Sequence, residues 1–324
     1  ARCARFIDRI GCADAHGFTR HIRSPLLYCL WQERSARALY LLLCGLPLFL
    51  GWELFSLVYY GFFVPNTAYA KLNTGVAFWE LAHQGVRYLH NSLRVDPLAL
   101  VALGATSAWC AYRRSVREGV ILLGCALYLV YVVRIGGDYM TGRFIALPFL
   151  GAVCVLVHAV PLRDARAGLT AIGVVLAVGL SAAAPPPLSG VDYEEQGVEP
   201  MHGILDERAN YHAATGLLKA LYADEDVHFP RHHWVDFGRQ LRAGAEHQEL
   251  VVTTYYNIGI LPYYAGPKLY HADVLGIGTA LLARLPAFAD ADWSPGHFER
   301  IMPEGYIETL IYGENVLADR RLGR

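Results

Sequence analysis

Between residues 38 and 184 the sequence packs five apolar runs, each close to the length needed to cross a lipid bilayer. No water satisfies a bare backbone in hydrocarbon, so such runs fold as helices, and a core roughly 30 Å thick calls for about 20 residues. The runs are 38–63, 95–112, 116–133, 143–160 and 167–184. At 1.5 Å per residue the run 116–133 reaches only about 27 Å, which predicts little tilt and dependence on neighbouring helices. The expectation is an α-helical membrane bundle of about five transmembrane helices, followed by about 140 residues of ordinary soluble composition.

Arginines in the short connections set the orientation, because they are retained on the cytoplasmic side. Arg20, Arg23, Arg34 and Arg37 precede the first run, Arg113, Arg114 and Arg117 follow the second, and Arg163 and Arg166 follow the fourth. Alternation then places the loops 64–94 and 134–142 and everything after 185 outside. Three parts result: a basic cytoplasmic leader at 1–37, the bundle at 38–184 with those two external loops, and an extracytoplasmic soluble domain at 185–324. The Ala-Ala-Pro-Pro-Pro run at 183–187 serves as the linker, since proline cannot continue a helix. The leader opens with Ala and holds no secretory apolar segment, so it reads as a fragment or processed start.

Composition excludes some partners. The formal net charge is only -1, which gives nucleic acid no bulk attraction. All seven cysteines precede residue 155 and none lies in the external parts, so no disulfide framework is implied. Along the tail, Leu205, Ala209, Ala213, Leu217 and Leu221 recur every four residues and predict a surface helix over 204–222. The run 249–254 reads as a strand, and the Gly-, Pro- and Tyr-rich stretch 255–270 as an ordered loop leading to HADVLGIG, so the tail reads as a small α/β domain.

Several polar groups stand where a bilayer meets water. Asn66, Tyr69 and Lys71 follow the first run and suit a phosphate or a sugar hydroxyl; equally, Asn66 caps the run while Lys71 snorkels. The stretch after them spaces Val76, Trp79, Ala82, Val86 and Leu89 as an interfacial helix, with Phe78, Trp79 and Tyr88 as aromatic anchors. The second external turn, RIGGDYMTGR, holds Asp138 and Arg143 between two apolar runs. They fit proton or cation handling and phosphate binding respectively, or an ion pair of Asp138 with Arg143 or Arg134 that closes the turn. Tyr255, Tyr256, Tyr263, Tyr264 and Tyr270, with Lys268, His271 and Asp273, could line a glycan groove or form a dry core beneath a loop. His228, His232 and His233 lack a carboxylate or thiolate at firm spacing, so no metal site is assigned. Glu53 lies inside the first run and marks a partner or pathway.

Four motifs in order, YYGFFVPNTAYAK (59–71), GGDYMTGRF (136–144), NIGILPYYAGPKLYHADVLGIGTALLARLP (257–286) and PGHFERIMPEGYIETLIYGEN (295–315), resemble the bacterial membrane arabinofuranosyltransferases. That family takes in mycobacterial terminal and pseudomonad pilin enzymes, and the likeness extends over roughly residues 40–320. The resemblance implies a partial GT-C fold in a bacterial inner membrane, and transfer of a pentofuranose from a polyprenyl-phosphate donor to an extracytoplasmic glycan or glycoprotein. It implies donor-phosphate binding by Lys71 and Arg143, a supporting acidic role for Asp138, and sugar or acceptor contacts from Asn66, Tyr69, Tyr263, Tyr264, Lys268, His271 and Asp273. The family's acidic catalytic motif lies ahead of the matching region; Asp8 and Asp14 fall on the predicted cytoplasmic side and are not assigned to it, so the chain reads as lacking its main base. A divalent cation suits such chemistry, but no complete ligand set is present. The competing class is a membrane-anchored glycan-binding or scaffolding subunit without turnover. A transporter is disfavoured, because the apolar runs carry almost no charge besides Glu53.

Overall fold

The computed structural model describes residues 36–72, 74–159, 165–182, 201–223, 229–246, 250–254, 258–288, 293–319 and 321–322. The 1–35 part of the leader, Arg163, the proline linker, His228, Tyr255 and Tyr256 lie outside them. The described chain is mostly helical and clusters into two compact units. One unit joins the residues up to Phe63 with Ser92–Val133 and Gly142–Pro185; the other joins Val64–Asn91 and Arg134–Thr141 with the tail from Pro186.

The first unit holds α1 (Ala36–Tyr60), α4 (Pro97–Arg113), α5 (Val116–Arg134), α6 (Ala146–Ala159) and α7 (Ala165–Leu180). Helices thus form over all five apolar runs. By length and composition α5, with 19 residues, is sufficient alone to cross a membrane; α3 (Phe78–Val95) and α4, broken at Asp96, qualify only if counted together. Leu46–Tyr60 within α1, Arg143–His158 and Gly168–Leu180 are apolar but shorter. Among the described residues, one helix meets these criteria, or two if the bent pair counts as one span. Pro97 starts α4 at a position where a missing N–H costs nothing, and Arg114 ends it in the left-handed conformation. Leu103, Cys110, Leu122, Ala152 and Val155 form the packed seam of α4, α5 and α6. Gly151 permits the approach: a Cβ there would meet Cys125 Sγ at 2.8 Å. Glu53 is half-buried on α1.

The second unit is built around α2 (Asn66–Leu72), α3 and the turn that follows α5. The buried face of α3 carries Gln84, Gly85, Tyr88 and Asn91, while Trp79 and Val86 are exposed. Tyr88, expected as an interfacial anchor, is instead fully buried, and its hydroxyl donates to Met140 O (3.2 Å). The Gly136-Gly137 pair presses the turn onto this face. Both have positive φ, and a Cβ on Gly137 would lie 2.5 Å from Tyr88 Cβ. Thr141 Oγ1 donates to Asn91 Oδ1, and backbone bonds from Leu205 N to Tyr139 O and from Thr141 N to Leu205 O tie the turn to the tail.

In the tail, the predicted helix over 204–222 is two pieces, α8 (Glu207–Thr215) and α9 (Leu217–Leu221), separated by an extended Gly216. A Cβ at Gly216 would fall 2.5 Å from His212 O. Leu217 and Leu221 are exposed, so the four-residue stripe is not a continuous buried face. Helix α10 (His233–Gly244) packs on α11 (Ile260–Ala265) through Gly238, where a Cβ would approach Leu261 O to 2.6 Å. Strands β1 (Val251–Thr253) and β2 (Leu269–His271) flank α11 and pair in parallel, Val252 opposite Tyr270. Helix α12 (Tyr306–Tyr312) follows.

Arg300 holds the loops of this unit. It is 4% exposed, and its guanidinium donates to the carbonyls of Ala70, Leu275, Leu285 and Phe298. Burial pulls its pKa down, opposed by the Asp273 carboxylate. Replacing Arg300 with Leu leaves four buried carbonyls without this donor, and a loss of about 3 kcal/mol or more is expected in thermal or chemical denaturation. Gly137→Ala, strained in φ and clashing with Tyr88, is expected to cost at least about 2 kcal/mol by the same measurement.

Candidate functional site

Helix α2 and the turn after α5 meet at an ion pair. Lys71 Nζ lies 3.3 Å from Asp138 Oδ1, with Asp138 fully buried and Lys71 largely so. The same oxygen accepts the N–H of Tyr139 at 3.1 Å. Asp138 thus pairs with a residue 67 positions away in sequence. Gly296 closes the third side: its φ is +74°, and a Cβ there would stand 2.7 Å from Asp138 Oδ1 and 3.2 Å from Lys71 Nζ. The next residue, His297, lays its ring against Tyr139, centroids 3.9 Å apart.

Two titratable groups absent from the sequence-based assignment belong to this cluster. Burial lowers the His297 pKa, with Lys71 acting in the same direction and Asp138 and Asp273 opposing. Burial raises the Glu207 carboxyl above its ordinary range, reinforced by the negative charges of Asp138 and then Asp206. Glu207 sits in the first turn of α8, which Asp206 caps by accepting the Arg208 N–H. Its only sequence signal was that capping pattern. His297 was visible only as part of the PGHFER motif.

The remaining predicted residues divide by role. Asn66 Oδ1 accepts from Arg284 Nη1 (3.2 Å), whose guanidinium lies 4.1 Å over the Tyr69 ring. Asn66 and Tyr69 thus both engage Arg284, on the helix that presents Lys71. Asp273, expected to touch sugar, instead organises its own loop: its oxygens accept the N–H groups of Leu275, Ile277 and Gly278. Lys268 is likewise engaged, donating to the carbonyls of Ala245 and Glu246 beyond the end of α10. His271 lies on β2 with Nδ1 3.2 Å from Thr253 Oγ1. Tyr263 is exposed, Tyr264 stacks under Arg239, and the Tyr270 hydroxyl lies 3.5 Å from that of Tyr306. Arg143 begins a 3-10 turn, Arg143–Ile145, in the other unit. His232 uses Nδ1 to cap α10 at Trp234 N. Among the described residues, no three His, Cys, Asp or Glu side chains gather closely enough to hold a metal ion.

The chain is similar to a terminal beta-(1->2)-arabinofuranosyltransferase of Corynebacterium glutamicum, 31% identical over 153 residues that cover 43% of this chain. It spans 22% of that relative's length. The chain matches no protein-family profile. No solved structure matches it.

The cluster gives the unit a pH dependence with a defined sign. His297 is depressed from 6.5, so its contribution to stability is complete above that value and is lost as pH falls through the folded-state pKa. Glu207, raised from 4.5, acts oppositely, its contribution being present below that value and lost as pH rises through the folded-state pKa. Between pH 7.5 and the acid range, the melting temperature of the native protein is therefore expected to drop relative to that of His297→Gln.

Proposed function

We propose that this chain forms part of a membrane glycosyltransferase of GT-C type, moving a pentofuranose, arabinofuranose by its similarity, from a polyprenyl-phosphate donor to a glycan or glycoprotein outside the cytoplasm. The observation that carries the reading is the buried Lys71–Asp138 pair, with Glu207 and His297 in its electrostatic field. The similarity to an arabinofuranosyltransferase supports it independently. In the same reading the five apolar helices form a multi-pass bundle in the plasma membrane with the second unit outside. Support comes from outward apolar side chains such as Leu48, Val58 and Leu169, which are at home in lipid.

The chemistry needs three services. The acceptor hydroxyl must lose its proton, its oxygen must bond to the anomeric carbon, and the bond from that carbon to the phosphate oxygen must break, releasing polyprenyl phosphate. Lys71 offers an ammonium to the leaving phosphate. Glu207, whose carboxyl burial and then the Asp138 charge hold above its ordinary range, is the carboxylate beside this pair offered for the hydroxyl proton. Asp138 holds Lys71 in place and stabilises the positive charge that develops on the ring. Asn66 and Tyr69 orient the sugar beside Lys71.

Transfer of labelled pentofuranose from a synthetic polyprenyl-phosphate donor, assayed in membranes carrying the full-length protein, tests this. Glu207→Gln and Lys71→Ala are each expected to lower turnover by about 100-fold or more, measured per folded molecule, with Lys71→Ala also destabilised because Asp138 loses its paired ammonium. Glu207→Gln should also abolish the rise of rate with pH on the acid limb. Native turnover in both variants would remove the cluster from the reaction.

A further inference from the structure

A cavity of the same unit opens beside the ion pair. Glu80, His83, Gln84 and Arg87 line one side of it, spaced three and four residues apart on one face of α3. His202, Trp293 and Pro295 from the tail form the other side. Its volume of about 340 Å³ is at the lower end of the roughly 300–1,000 Å³ range of small-ligand sites.

The walls are held in position before any ligand arrives. Trp293 is half-buried and stacked on the fully buried Phe298, ring centroids 5.4 Å apart at 25°. The Gln84 amide donates to His202 O at 2.8 Å, holding His202 in a left-handed conformation (φ +55°) that side chains rarely adopt. Gly203 packs on Pro295, where a Cβ would approach Pro295 Cδ to 3.0 Å.

The lining selects a chemical class. One carboxylate, one guanidinium and two imidazoles provide hydrogen-bond donors and acceptors, and Glu80 offsets the charge of Arg87. A phosphate would find Arg87 but also Glu80. A neutral polyol finds partners of both kinds for its hydroxyls and an indole face for its ring C–H groups. The wall formed by Trp293 and Pro295 runs directly into Gly296, which touches Asp138 and Lys71.

We infer that this cleft binds a neutral furanoside oligosaccharide, the non-reacting part of the acceptor, with Trp293 as the stacking platform and Glu80 and Arg87 reading hydroxyls. The choice of furanoside rests on the transferase reading; the carbohydrate class rests on the cleft itself.

The test is direct binding, by saturation-transfer NMR and calorimetry, of a synthetic linear tri-arabinofuranoside to the full-length protein in micelles, with maltotriose as the control. Trp293→Ala, and the double variant Glu80→Gln with Arg87→Gln on the solvent side of α3, are each expected to weaken binding about ten-fold. Asp138→Asn should bind the trisaccharide as the native protein does while losing turnover. Should Trp293→Ala melt early, the double variant on α3 decides. Native affinity in the double variant, no binding by the native protein, or equal binding of maltotriose overturns the inference. Binding that depends on the cleft in a protein with no pentose transfer would uphold the cleft and sink the transferase reading instead.

Discussion

A buried guanidinium that meets four backbone carbonyls, from α2, the loop 273–285 and its own segment, is the constraint on which the second unit depends. Arg300 carries its charge in a nearly water-free position and satisfies it with Ala70, Leu275, Leu285 and Phe298. Such an arrangement is stable only when the donors are used, because an unpaired buried charge costs several kcal/mol. Asp273 supplies the compensating negative field while its own oxygens are tied to three backbone N–H groups. Arginine and aspartate together thus fix the loop 273–285 against α2, and α2 is the helix that presents Lys71.

The second constraint is steric. The turn bearing Asp138 can reach Lys71 only because two glycines let its backbone lie flat on α3, with Tyr88 filling the space that a side chain would need. Gly296 plays the same part from the tail, approaching the ion pair closely enough that a methyl group would touch both partners. Three stretches distant in sequence therefore meet at one cluster through small residues and backbone bonds, not through a large apolar interface.

These features were unequally legible in the sequence. The apolar runs revealed themselves by length alone, and helices occupy all five, although length and composition qualify only one or two as complete crossings. The strand at 251–253 and the α/β character of the tail followed from local pattern. The orientation of α3 did not. Its buried side carries Gln84 and Asn91 beside Tyr88, whereas Trp79 and Val86, of the stripe read as interfacial, are exposed. The helix over 204–222 failed at Gly216, where spacing continues but the backbone turns extended. Lys71 and Asp138 were visible as polar residues beside apolar runs, whereas Glu207 and His297 acquire their meaning from neighbours that no local window contains. The bonds by which Asp273 and Lys268 hold loops were not legible, because loop-organising polar groups and ligand-facing ones are chemically identical in a sequence.

Lys71 sets its ammonium 3.3 Å from the fully buried Asp138 carboxylate. Any anion that engages the ammonium adds a negative charge next to a carboxylate with little water to screen it, and within the field that already disfavours ionisation of Glu207. Anion entry is thereby linked to proton uptake: each promotes the other by the same free energy, as reciprocity between two sites requires.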